Sequence, residues 1–117
     1  MATMTRRARV IVYDKRGVGL SDAGDRASTL EDETADIRAV MDAEGIESAA
    51  LFGFTIGAPS ALLFAAAEPD RVSHLVISSG MAKSTRSDDY PYGNEPATRE
   101  VLTKITTDHW GEGLRWW

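Results

Sequence analysis

Ala49-Ala50-Leu51-Phe52-Gly53-Phe54-Thr55-Ile56-Gly57-Ala58-Pro59 is the stretch whose reading decides the fold. A short apolar run bounded by Gly predicts a buried parallel strand, and Ser60 to Ala67 is apolar enough for a buried helix. Thr55 lies between them, with Gly53 two residues before it and Gly57 two after. A small hydroxyl residue at the tip of a strand-turn-helix is the arrangement that presents a nucleophile. Pro59 falls near the first helical turn, where its missing N–H costs nothing.

Outward from this stretch the chain alternates. Arg9-Val10-Ile11-Val12-Tyr13 is β-branched and aromatic and predicts a first strand, ending at Asp14 before a loop with Gly17 and Gly19. The two glycines read as a structural turn. Ser28 as N-cap with Glu31 three residues on gives the capping-box spacing, and Leu30, Thr34, Ile37, Val40 and Met41 share one face of the helix that follows. Gly45 is placed to end it. The acidic residues of this helix read as a solvated face. Glu68-Pro69-Asp70 stops the second helix, and Arg71-Val72-Ser73-His74 leads into a third strand, Leu75 to Ser79, closed by Gly80. Met81 to Asn94 predicts a long loop, and Glu95 to His109 a helix with Val101, Leu102 and Ile105 on one side. Strand, helix, strand, helix, strand makes two right-handed βαβ units, hence an α/β class with a parallel three-strand core.

Composition narrows the chemistry. A chain of 117 residues, 43% apolar and 26% charged, has the makeup of one globular domain. No run is long enough to span a bilayer and no signal-peptide pattern opens the sequence, which predicts a cytoplasmic protein without a membrane partner. With no Cys there is no disulfide, thiolate nucleophile or Cys-based zinc site. A net charge of −5, with 13 basic residues not clustered, argues against nucleic acid. Two His and scattered carboxylates lack metal-ligand spacing, and Gly53 and Gly57 lack the GxGxxG spacing of a dinucleotide site, so no cofactor is expected.

Val10 to Ala82 resembles the α/β-hydrolase superfamily. Four features carry the resemblance: the strand ending in Asp14-Lys15-Arg16-Gly17-Val18-Gly19-Leu20-Ser21-Asp22, the Thr29-Leu30-Glu31-Asp32 helix start, Gly53-Phe54-Thr55-Ile56-Gly57, and Glu68-Pro69-Asp70-Arg71-Val72 before a strand. The first motif is also similar to hydrolase-type domains that accompany nucleotide cyclases or regulators in some bacterial multidomain proteins. The resemblance implies a partial α/β-hydrolase fold over residues 1–117, with a core at 9–82 and a cap-like segment at 83–117. It implies an esterase-type site with Thr55 in the nucleophile's place and the Ile56 N–H as an oxyanion donor, acting on a small acyl or ester substrate.

The resemblance further implies parts this sequence does not contain: a His-Gly-type oxyanion loop on a strand before Val10, and the triad acid and His on later strands. The chain is therefore expected to be inactive alone, or to be a non-catalytic regulatory or binding domain. His74 is expected at the entering end of its strand, away from Thr55, and His109 at the end of the last helix. A sheet with a strand missing leaves three outcomes, in which the strands close up and pair directly, another chain fills the gap, or the fragment does not fold stably, and the expectation is poor stability or self-association. Trp110, Trp116 and Trp117 suggest either a partner-binding patch or buried lid core. Two conformations stay open for Thr55: a strained, positive-φ turn costing about 1–3 kcal/mol for a β-branched residue, or a relaxed turn with its hydroxyl bonded locally.

Overall fold

In the computed structural model, which describes residues 5–109, the first helix begins one residue later than the capping spacing suggests. Helix α1 spans Leu30–Ala43, with Thr29 rather than Ser28 as its N-cap. Thr29 Oγ1 accepts from the Asp32 N–H at 3.2 Å, and the Asp32 carboxylate accepts from the Thr29 N–H at 2.9 Å. Thr-x-x-Asp thus displaces the predicted Ser-x-x-Glu pair, because Asp32 also takes both guanidinium nitrogens of Arg26. At the other end Gly45 adopts φ +65°. Its N–H bonds to the Asp42 carbonyl at 3.1 Å and the Ile46 N–H to Met41 at 2.8 Å, the paired bonds of a Schellman stop. Thr34, Ile37 and Met41 are buried as the periodicity predicts, whereas Leu30, at the first position, is 37% exposed.

Strands β1 (Ala49–Phe54) and β2 (Val72–Ser78) pair in parallel, with Phe52 opposite Val76 and Phe54 opposite Ser78. Helix α2 (Ala58–Ala67) makes the crossover, stopped by the Pro69–Arg71 turn. It packs on both strands, and α1 packs on α2. The core is Phe64, fully buried, against Ile37 and Met41, walled by Ile46, Ala49, Leu51 and Val72. A two-stranded sheet is marginal by itself, and here one face is covered by helix. On the other face Phe52, Phe54 and Val76 remain 59%, 57% and 52% exposed, with the two Phe rings stacked.

The predicted three-strand core is thus a two-strand core. Val10–Tyr13 forms no strand and is 36% to 67% exposed. The reason is geometric, since ladder hydrogen bonds need a neighbouring strand and this segment does not take up the free edge of β1. What fixes this part of the chain is the loop after it. The Asp14 carboxylate accepts from the Leu20 N–H at 3.0 Å, Ser21 Oγ donates to the Asp14 carbonyl at 2.7 Å, and Gly19 turns at φ +57° where a Cβ would overlap the Asp14 carboxylate. Lys15 pairs with Glu33, and Arg16 makes a two-pronged contact with Asp36 that holds the Asp36 carboxyl below the usual carboxylate range. The acidic face of α1 is therefore an ion-paired seat for this loop.

The predicted third strand starts earlier, at Val72, and takes in His74. Beyond it the chain is irregular to Glu95, pinned by Arg86 N–H to Asn94 carbonyl at 2.8 Å. Helix α3 spans Pro96–Asp108. Val101 and Leu102 on it are 57% and 38% exposed, and it is tied to the preceding loop by Arg86 to Glu95 and Arg99 to Thr85. The three Trp lie outside the described residues. Among the described residues no helix is long and apolar enough to cross a membrane.

Candidate active site

The carboxyl ends of β1 and β2 meet the amino end of α2, where open α/β sheets place their ligands. Thr55 leaves β1 at φ +47°, directly after Phe54 at φ −115°, and opens a single 3-10 turn, Thr55–Gly57. The Ala58 N–H closes this turn on the Thr55 carbonyl. Of the two conformations open to Thr55, the structure takes the strained one. The Thr55 hydroxyl makes no hydrogen bond among the described residues, so no local bond relaxes the turn. Ile56 follows it, 75% exposed, at the start of the helix, where N–H groups lack intrahelical acceptors and carry the positive end of the dipole.

Glycine explains how strand and helix approach so closely. A Cβ on Gly53 would lie 2.8 Å from Ile77 Cδ1, 3.0 Å from Ala58 Cα and 3.1 Å from Ala61 Cβ. Gly57, the other glycine of the motif, faces open space at φ −84°. The matching close approach comes instead from Gly80, beyond β2, where an added Cβ would overlap the Ala58 methyl and sit 3.4 Å from the Thr55 carbonyl oxygen. Ala58 itself is fully buried. Ser79, immediately before Gly80, is the second non-glycine residue with positive φ, at +53°. Neither Ser79 nor Gly80 stands out in the sequence, because Ser-Gly after a strand is an ordinary turn signal.

Neither histidine hydrogen-bonds to the Thr55 hydroxyl. His74 pairs with Ala50 at the opposite end of the sheet, roughly 15 Å along the strand from Thr55. His109 is the C-cap residue of α3. Arg71, which the sequence places between the second helix's stop and the third strand, is structural. Its guanidinium donates to the Ile46 and Glu47 carbonyls and to Asp42, each at 2.8 Å, and so clamps the loop between α1 and β1. Arg38 to Glu68 ties α1 to the end of α2.

A strained hydroxyl residue thus sits between strand and helix, backed by a small-residue crossing. The family model of the α/β hydrolase fold matches residues 2–100, and the chain belongs to that family. It is similar to the putative carbamate hydrolase RutD of Azorhizobium caulinodans, 39% identical over 80 residues that cover 67% of this chain and 29% of that protein. RutD of a Caulobacter species is 36% identical over 89 residues, 71% of this chain and 31% of the relative. A 2-hydroxy-6-oxononadienedioate/2-hydroxy-6-oxononatrienedioate hydrolase of Paraburkholderia phymatum is 40% identical over 73 residues, 62% of this chain and 25% of the relative. The matched segment thus spans under a third of the length of these relatives.

Proposed function

We propose that this chain supplies the elbow of an acyl-transfer hydrolase site and does not turn substrate over by itself. Thr55 stands in the nucleophile's place. Its hydroxyl oxygen would attack a carbonyl carbon and lose its proton to solvent, the developing oxyanion would accept a hydrogen bond from the Ile56 N–H, and collapse of the intermediate would break the bond to the leaving alkoxide, leaving the acyl group on Thr55. Phe54 and Ile56, both exposed beside it, suit the apolar portion of a small acyl group. Esters or carbamates are the substrate class in view, the latter from the names of the RutD relatives.

The observation that carries this reading is the left-handed Thr55, whose hydroxyl has no hydrogen bond to a base among the described residues. Strained backbone clusters at functional turns, which supports a site. Loss of the triad base lowers rates by about 10⁴–10⁶, which supports an elbow without independent turnover. The test is intact-mass analysis with a short p-nitrophenyl ester. The expected result is slow, single acylation mapped to Thr55, absent in Thr55→Ala, without sustained release of nitrophenol. Multiple turnovers lost in Thr55→Ala would overturn the claim of no independent activity.

The β-branched residue at the elbow and the distance of His74 from it favour a second reading, a non-catalytic regulatory or binding domain of a multidomain protein. Complete absence of a Thr55 adduct decides for that reading.

A further inference from the structure

We infer that Gly80 is a positioning residue for the Thr55 elbow, making a close-packing contact that Gly57 of the sequence motif does not make. The inference rests on Thr55 being the site residue, and it concerns what holds Thr55 in its left-handed turn. Ala58 lies at the centre. It is fully buried, its N–H bonds to the Thr55 carbonyl, and its neighbours on both sides are glycines. Gly53 approaches its Cα from β1, and Gly80 approaches its methyl from the end of β2.

Ser79 at φ +53° turns the chain as it leaves β2, and Gly80 follows directly against the elbow. The only two non-glycine residues with positive φ among the described residues therefore follow the registered pair Phe54 and Ser78 on adjacent strands. Two strained positions side by side persist only where the surrounding packing over-determines them, and the Gly80–Ala58 contact joins them. No side chain fits at position 80 while Ala58 keeps its methyl. Ala58 is anchored in the first turn of α2, so relief has to come through the turn it closes, which is Thr55–Gly57. Gly57 has no such constraint, since a Cβ there meets nothing within 4 Å.

The experiment reads the Thr55 backbone directly. In the isotopically labelled full chain, the three-bond HN–Hα coupling and backbone chemical shifts of Thr55 and Ile56 are measured for Gly57→Ala, Gly80→Ala and Ala58→Gly/Gly80→Ala. Gly57→Ala is expected to leave the left-handed signature of Thr55 intact. Gly80→Ala is expected to abolish it, and the double variant to restore it, because removing the Ala58 methyl clears the overlap. If Gly80→Ala fails to fold, refolding of the double variant with the Thr55 signature supports the inference, and its failure to refold overturns it. An unchanged Thr55 signature in Gly80→Ala also overturns it. The readout is independent of acylation, so a Thr55 that is correctly held by Gly80 yet never acylated would count against the nucleophile reading alone.

Discussion

Leu51–Phe54 and Val10–Tyr13 are both short runs of aliphatic and aromatic residues, yet only the first is a strand. The difference lies outside the segments. Leu51 has Phe64 and its neighbours behind it and Leu75 beside it, so its backbone bonds and its side chain are satisfied together. Val12 has neither and is 67% exposed. Strand propensity is a preference for a pleated, half-buried surface, and it is realised only where a neighbouring strand and a covering layer exist. A substitution should therefore cost most where both supports meet and least where both are absent.

The largest effect is expected at Phe64, the one large side chain that is fully buried among the described residues. Phe64→Ala should cost about 3–5 kcal/mol, the range for emptying an aromatic core site. In a core this small that is enough to remove the cooperative transition in urea followed by circular dichroism. A cooperative transition with an unchanged midpoint would mean that the helix-covered unit is not what holds the chain together. Next comes Arg71→Lys. An ammonium cannot satisfy the Ile46 carbonyl, the Glu47 carbonyl and Asp42 at once, so a loss of about 1–3 kcal/mol is expected despite retention of charge. If Arg71→Lys denatures at the wild-type midpoint, the α1–β1 loop is held by something other than this clamp.

How much of this was legible in the sequence follows the same division. The β1–α2–β2 unit was, because its signals are local: an apolar run, a glycine-flanked turn, Pro59 near the helix start and Pro69 after its end. The positive φ of Thr55 was readable as one of two choices, and the motif order identified the family. What escaped were contacts between segments distant in sequence. Gly80 meets Ala58, and Arg71 meets Asp42, Ile46 and Glu47, across separations that carry no periodicity. Val10–Tyr13 misled because propensity is local while pairing is not. The N-cap slipped by one residue because Ser28 and Thr29 both have capping side chains, and Arg26 decides between their partners by holding Asp32.

That cap gives a smaller and pH-dependent test. Thr29→Ala should cost about 1 kcal/mol of stability. The Arg26 guanidinium, followed by the Thr29 N–H, holds the Asp32 carboxyl well below the usual carboxylate range. A depressed folded-state pKa means that the stabilisation is fully present above the unfolded value, about pH 4, and is lost as pH falls through the folded one. Thermal melts between pH 7 and pH 2 should therefore show the wild type falling toward Asp32→Asn in acid, with the gap widest near neutrality. A gap that is constant with pH would remove Asp32 from the titrating groups.

The smallest effect is expected at Val12, and it bears most directly on the two apolar runs. Val12→Thr keeps the β-branched shape and strand preference while removing a methyl group that no core residue touches. The change should stay within about 0.5 kcal/mol, as surface substitutions do. Leu51→Thr, the matched change in β1, removes contact with the Phe64 cluster and should cost several times more. Equal costs at the two positions would show that Val10–Tyr13 finds a strand partner in solution. The free edge of β1 would then be the first place to look for it, since a strand edge with unpaired N–H and C=O groups is the natural template for one.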